Sequence, residues 1–285
     1  MLKIHFLMAG AISWVALSLA AHSVSAAELH LRTVQAWEEY VRVTEKRVAG
    51  ELADGHRFLA TDFLSDDESR SARSLVRSGQ IYIRKMHSAG GGELRVNGGM
   101  IHHWLGSVFV PGVKLGSLMR WIQDYDHHDR YFAEVERSKL VSLDGSTYKI
   151  FLRLRRKKIV TVVYNTDHTV VYRYHDAARI SSRGSATRIA EIDDPGTPAE
   201  KENQVGNDRG FLWRLNSYWR FQEEPGGVIV ECESVSLSRS IPPGLGWLIR
   251  GYVESVPRES LENTLISIRE GSQKTVGLEI QNRRE

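Results

Sequence analysis

Residues 211–243 read FLWRLNSYWRFQEEPGGVIVECESVSLSRSIPP, and residues 244–271 continue GLGWLIRGYVESVPRESLENTLISIREG. Phe211 to Phe221 and Val228 to Leu237 are strand-like runs. Pro225-Gly226-Gly227 between them is a turn signal. The second run leads directly into a long apolar-faced helix, predicted from about Pro243 to Arg269. It carries Leu245, Leu248, Ile249, Tyr252, Val253 and Val256, then Leu261, Leu265 and Ile268 at helical spacing. A helix of that length needs a broad concave surface to lie against. A curved antiparallel sheet supplies one, and such a pairing encloses a cavity. Pro242-Pro243 fixes the helix start, and Pro257 is expected to kink or break it near Val256.

Upstream the pattern is a meander. Met100 to Val110 reads as a strand stopped by Pro111-Gly112. Leu115, Leu118, Met119 and Ile122 mark a short amphipathic helix. Val135 to Leu143, Thr147 to Arg155 and Ile159 to Tyr164 follow as strands. Asp144-Gly145 is a hairpin signal, and Asn165-Thr166-Asp167 is read as a turn before Val170, Tyr172 and Tyr174. Ala177 to Ile192 holds one more strand, and 193–208 is a polar loop. Nearer the start, Trp37, Tyr40, Val41, Thr44, Val48 and Leu52 recur at helical spacing, with Thr33 as N-cap. Ser65-Asp66-Asp67-Glu68 opens a second, Arg-rich helix. Gln80 to Met86 alternates like a strand, and Ala89-Gly90-Gly91-Gly92 is a flexible loop. Strands in runs with helices at the ends give an α+β class.

The chain has 285 residues, 41% hydrophobic and 26% charged, enough to build its own core. Lys3, the apolar run Ile4 to Ala21, and the small residues Ser23 to Ala27 have the form of a secretory signal peptide cleaved after Ala26 or Ala27; a retained membrane anchor is the alternative. Export places the mature protein in the periplasm or outside the cell. The single cysteine, Cys232, excludes an internal disulfide and reads as a buried thiol. A net charge of +3 is mild; it gives no reason to expect nucleic acid and is compatible with peripheral contact at an anionic membrane.

The element order and the text Ile122-Gln123-Asp124-Tyr125-Asp126, then Tyr131-Phe132 and Val135-Glu136-Arg137-Ser138-Lys139-Leu140, resemble the START-like superfamily, also called Bet v 1-like or helix-grip. The resemblance covers roughly Gly98 to Gly271. It implies a curved antiparallel sheet gripping the C-terminal helix around a cavity for lipids, sterols, polyketides or other hydrophobic molecules, with extra N-terminal helices here. The expected division is a signal peptide over 1–26, a helical extension over 27–97, the helix-grip domain over 98–271 and a tail over 272–285.

Candidate chemistry is sparse. No G-x-S-x-G elbow or phosphate loop occurs. His102 and His103 are adjacent in a strand, so they point to opposite faces. Asp124, Asp126 and His128 echo a calcium loop, but no glycine stands sixth and Val135 stands twelfth; capping and turn formation suit the two acids better. Arg155-Arg156-Lys157-Lys158 reads as a solvated basic tip. In the strand from Phe211, one row is Phe211, Trp213, Leu215, Ser217, Trp219 and Phe221. The other, Leu212, Arg214, Asn216, Tyr218 and Arg220, mixes polar groups in the way a cavity wall does. Glu231 and Glu233 share a face in the next strand, where cross-strand Arg–Glu pairing is the simple account. The candidate ligand contacts are therefore Arg214, Tyr218 and Glu233, with the aromatics Trp104 and Tyr252. The expected function is a cofactor-free exported protein binding a hydrophobic or amphipathic, lipid-like molecule. The alternatives are a cyclase- or hydratase-like enzyme in the same cavity and a scaffold with no ligand.

Overall fold

Two hairpins and one long helix frame the molecule. The computed structural model describes residues 27–86, 95–157, 161–240 and 246–282. Residues 1–26, read above as a signal peptide, the glycine run at 89–92, Lys158 and Pro242-Pro243 lie outside the described residues, as do the side chains of 246–254. In chain order the elements are β1 (Ala27–Glu28), α1 (Leu31–Leu52), α2 (Asp66–Arg77), β2 (Tyr82–Lys85), β3 (Arg95–Val96), β4 (Gly99–Pro111), α3 (Leu115–Ile122), β5 (Val135–Asp144), β6 (Thr147–Lys157), β7 (Thr161–Tyr174), β8 (Arg179–Asp193), β9 (Lys201–Glu202), β10 (Asn207–Asp208), β11 (Arg214–Glu224), β12 (Gly227–Arg239) and α4 (Gly246–Asn282). Short 3-10 segments cover Ala60–Phe63 and Tyr125–Arg130.

The main sheet runs β2-β4-β12-β11-β8-β7-β6-β5, with β3 on β4 and β9 on β8; β1 pairs with β10 apart from it. All of these pairings are antiparallel. The Asp144-Gly145 and Pro225-Gly226 hairpins form as predicted, with Gly145 and Gly226 at φ 55 and 86, where a side chain would be strained. The sheet is curved and unclosed, and the architecture is the α+β helix grip. Its concave side takes α4 and α3 through Val108, Val110, Leu118, Trp121, Leu261, Leu265 and Ile268. Its convex side takes α1 through Trp37, Tyr40, Val48, Ile101, Trp213, Val235 and Leu237. Strands covered on both faces are buried in both rows, as β4 and β12 are.

Four expectations change. Thr33 lies inside α1, whose N-cap is His30; the Thr33 hydroxyl instead donates to the Asn97 carbonyl at 2.5 Å. Asn165-Thr166-Asp167 is no turn: β7 runs through it, paired with Arg153, Leu152 and Phe151 on one side and Ala190, Ile189 and Arg188 on the other. Two neighbouring ladders override a local turn preference, and the irregularity falls on β8, where Thr187 is left out of register. Pro257 sits within an unbroken α4, whose following turns are locked by buried Leu261, Leu265 and Ile268. A proline costs the helix a hydrogen bond without forbidding it. The helix also runs on to Asn282 through the span expected to be tail.

Glycines set how closely α4 approaches. A Cβ on Gly106 of β4 would stand 2.6 Å from Leu265 Cδ1 and 3.1 Å from Leu261 Cγ. One on Gly271 would stand 2.5 Å from Trp121 of α3. The helix is thus seated on β4 and α3, at one flank of the sheet. Gly106→Val is expected to cost about 1–3 kcal/mol by overpacking, lowering Tm by about 3–10 °C in a thermal melt followed by circular dichroism. An unchanged Tm would mean that the helix is not seated there.

Candidate functional site

Away from β4 the sheet curves off from α4 and leaves a cavity of about 480 Å³. Its floor is the concave face of β6, β7, β8, β11 and β12. Its roof is α4, from Val256 to Ile268, and its end wall is Ile122, Tyr125, His128 and Phe132. The wall has two characters. Ile150, Leu152, Val170, Trp219, Phe221 and Leu261 make it apolar, and Ser182, Ser217, Ser234, Ser236 and Ser238 add hydroxyls beside the His102 imidazole. Small side chains on a curved floor are what leave the space open.

Burial favours the neutral form of five titratable groups in this wall: Tyr125, Tyr172, His128, His168 and Cys232. Burial pushes the Tyr125 and Tyr172 phenols up, and they hydrogen-bond each other at 2.6 Å. Burial pulls His168 down to about 4 and lowers His128, whose Nε2 meets the Ile122 carbonyl at 2.8 Å. The Cys232 thiol is raised by burial. At one edge Arg155 pairs with Glu136, and Arg156 pairs with Glu134 and with Glu259 at 2.8 Å. Glu134 also accepts from Ser260 and Asn263, each at 2.9 Å. Arg155 and Arg156 are therefore ion-paired at the cavity edge rather than a solvated tip.

Four of the five candidate contacts read from the sequence fall elsewhere. Leu215, Ser217, Trp219 and Phe221 line the cavity, so the row holding Arg214, Tyr218 and Arg220 faces the convex side beneath α1. Tyr218 Oη meets Glu45 of α1 at 3.2 Å, and the Arg214 guanidinium donates to the Trp213 carbonyl at 2.9 Å. Glu233 is on the same convex face. Trp104 is on the concave face but packs into the core beside α4, outside the cavity lining. The Tyr252 side chain lies outside the described residues. The physical reason is that both faces of β11 are covered, so polarity does not tell one from the other.

What the convex row builds is a buried ionic seam between α1 and the sheet. Glu233 binds Arg47, and His103 Nε2 at 2.7 Å. Tyr40 Oη meets His103 Nδ1 at 2.6 Å. His103 thus bridges the Tyr40 phenol and the Glu233 carboxylate through its two ring nitrogens. Arg47 also pairs with Glu51 at 2.7 Å, and Glu51 binds Arg220. Glu231 accepts from the Ala60 amide at 2.5 Å and the Thr61 hydroxyl at 2.6 Å. The Arg–Glu pairing expected across strands is thus supplied to Glu233 from α1. His102 and His103 do point to opposite faces, one into the cavity and one into this seam.

The cavity residues missed from sequence had one visible signal. Ser234, Ser236, Ser238 and Ser240 stand at every second position of one strand and its end, a row that an ordinary sheet would turn to water. Tyr125, Tyr172, His128 and His168 carry no such spacing.

No family model matches the chain, and no curated protein does. Solved structures give likenesses. A STAR-related lipid transfer protein fragment from Xanthomonas axonopodis is 16% identical, covering 67% of this chain and 98% of its own, at a TM-score of 0.44. The Zhui aromatase/cyclase from a Streptomyces species is 11% identical, covering 62% and 96%, at 0.42. Human StAR-related lipid transfer protein 5 is 12% identical, covering 85% and 98%, at 0.42. The fold stands on the sheet order and helix placement described above.

The ionic seam has a pH signature. Burial works to raise the Glu233 carboxyl, but His103 and Arg47 outweigh it and hold it at about 2. Its contribution is therefore fully present above the ordinary value of 4.5 and is lost as pH falls towards about 2. Glu233→Gln is expected to lower stability at neutral pH by about 3 kcal/mol. It should also flatten the acid limb of the Tm-against-pH curve, measured by thermal melts; an acid limb as steep as that of the parent would place the titration elsewhere.

Proposed function

We propose that the protein binds a hydrophobic or amphipathic, lipid-like small molecule between the sheet and α4, as a carrier exported after removal of its first 26 residues. The supporting observation is the cavity itself. About 480 Å³ lies within the range of roughly 300–1,000 Å³ typical of ligand pockets. Its walls are mostly apolar with convergent polar groups. Apolar burial, roughly 25 cal/mol per Å², supplies the drive, and burial favours the neutral form of Tyr125, Tyr172, His128 and His168, which suits a binding wall. Export is supported by the composition of residues 1–26.

Native mass spectrometry of gently purified protein is expected to reveal a bound lipid-like mass. Ser267→Trp, from α4 into the hollow, should abolish the adduct with the circular dichroism unchanged, whereas Arg214→Ala should retain it. A bare protein that takes up no member of a broad lipid panel would overturn the reading.

A further inference from the structure

One part of the wall indicates what kind of molecule the cavity accepts. Ser217 of β11 stands directly opposite Ser234 of β12, and Ser236, next along, stands opposite His102 of β4. Ser238 follows, its Oγ 2.9 Å from His102 Nε2. These side chains form one contiguous hydroxyl-rich patch on the cavity floor. Ser236 and Ser238 are only 6% and 4% exposed, so the patch is interior surface. Ser238 donates to the Arg239 carbonyl at 3.3 Å, but among the described residues no protein partner takes up the hydroxyls of Ser217, Ser234 and Ser236. They face the hollow. Interior hydroxyls without a partner are costly, and three alternating serines are a poor way to fill a sheet core.

The charges around the cavity are engaged elsewhere. Glu134, Arg155 and Arg156 are spent on one another and on Glu136 and Glu259. Arg239, at the end of the patch, lays its stem across Gly210 and donates to the Arg209 carbonyl at 3.3 Å. A hydroxyl both donates and accepts, so it pairs with a hydroxyl or carbonyl. A carboxylate or phosphate entering here would lose its hydration without gaining a dedicated cation. We infer that the cavity is matched to an amphiphile whose polar end is uncharged and hydroxylated, with that end on Ser217, Ser234 and Ser236 and the apolar end among Trp219, Phe221 and Leu261. This rests on the cavity being a ligand site.

The test uses three probes with one tail: 1-dodecanoylglycerol, dodecanoate and dodecyl phosphate, titrated calorimetrically into the full mature chain at neutral pH. The glycerol ester is expected to bind about tenfold more tightly than either anion. Ser234→Ala with Ser236→Ala should remove that preference, while Ser234→Thr with Ser236→Thr, which keeps the hydroxyls, should preserve more of it. Anions binding as tightly as the ester, or a preference that survives the alanine pair, would overturn the inference and leave the carrier reading standing. No binding of any probe would overturn both. If the alanine pair does not fold, the ranking of the three probes on the parent protein decides.

Discussion

The absence of a side chain at Gly106 sets the geometry of the whole concave face. It lets α4 come down on β4 until Leu265 and Leu261 fill the place a Cβ would take, and Gly271 does the same against Trp121. A rigid helix fixed at one flank cannot follow a sheet that curves away from it. The separation therefore grows across β12, β11, β8 and β7. In most cores large side chains would close that gap. Here the positions beneath it hold Ser182, Gly184, Ser217, Ser234 and Ser236, and the gap stays open.

An unfilled interior gives up packing, so stabilisation has to come from elsewhere. The convex face is where this protein concentrates it. There α1 contributes Trp37, Tyr40 and Val48 to an apolar cluster and Arg47, Glu51 and Glu45 to the ionic seam. Buried ions of this kind are weak as net stabilisers but costly to break singly. Their physical effect is to fix one register of α1 on the sheet. With β4, β11 and β12 held from outside, their concave faces are free to carry side chains chosen for something other than packing. The two layers thus divide the work: ions and aromatics close one side, and the floor of the other is mostly apolar side chains and serines.

Much of this was legible in the sequence, and the exceptions have physical causes. The hairpins at Asp144-Gly145 and Pro225-Gly226, the short α3 and the long terminal helix follow from local signals, because glycine conformation and helical periodicity are local properties. Asn165-Thr166-Asp167 has the composition of a turn yet forms strand, because ladders on both sides satisfy its backbone, which no local preference reveals. The cavity-facing side of β11 is hidden in the sequence for a deeper reason. Arg214, Asn216, Tyr218 and Arg220 look like the functional row because they are polar, yet a polar row buried under a second layer is equally well an interface. Parity separates the two rows but does not say which layer each one meets.

The serine alternation in β12 carries a general lesson about polarity inside a fold. Glu231 and Glu233 alternate with Cys232 and Ser234 along the same strand, so charge goes to one face and small neutral groups to the other. Buried charge needs fixed partners, and α1 with the Ala60–Phe63 segment provides them. A small hydroxyl needs only one hydrogen bond, and a bound molecule or water can supply it as readily as the protein. A strand that sends its carboxylates towards permanent partners and its serines towards empty space therefore marks which of its two faces is finished by folding. The other face is completed only when something occupies the hollow.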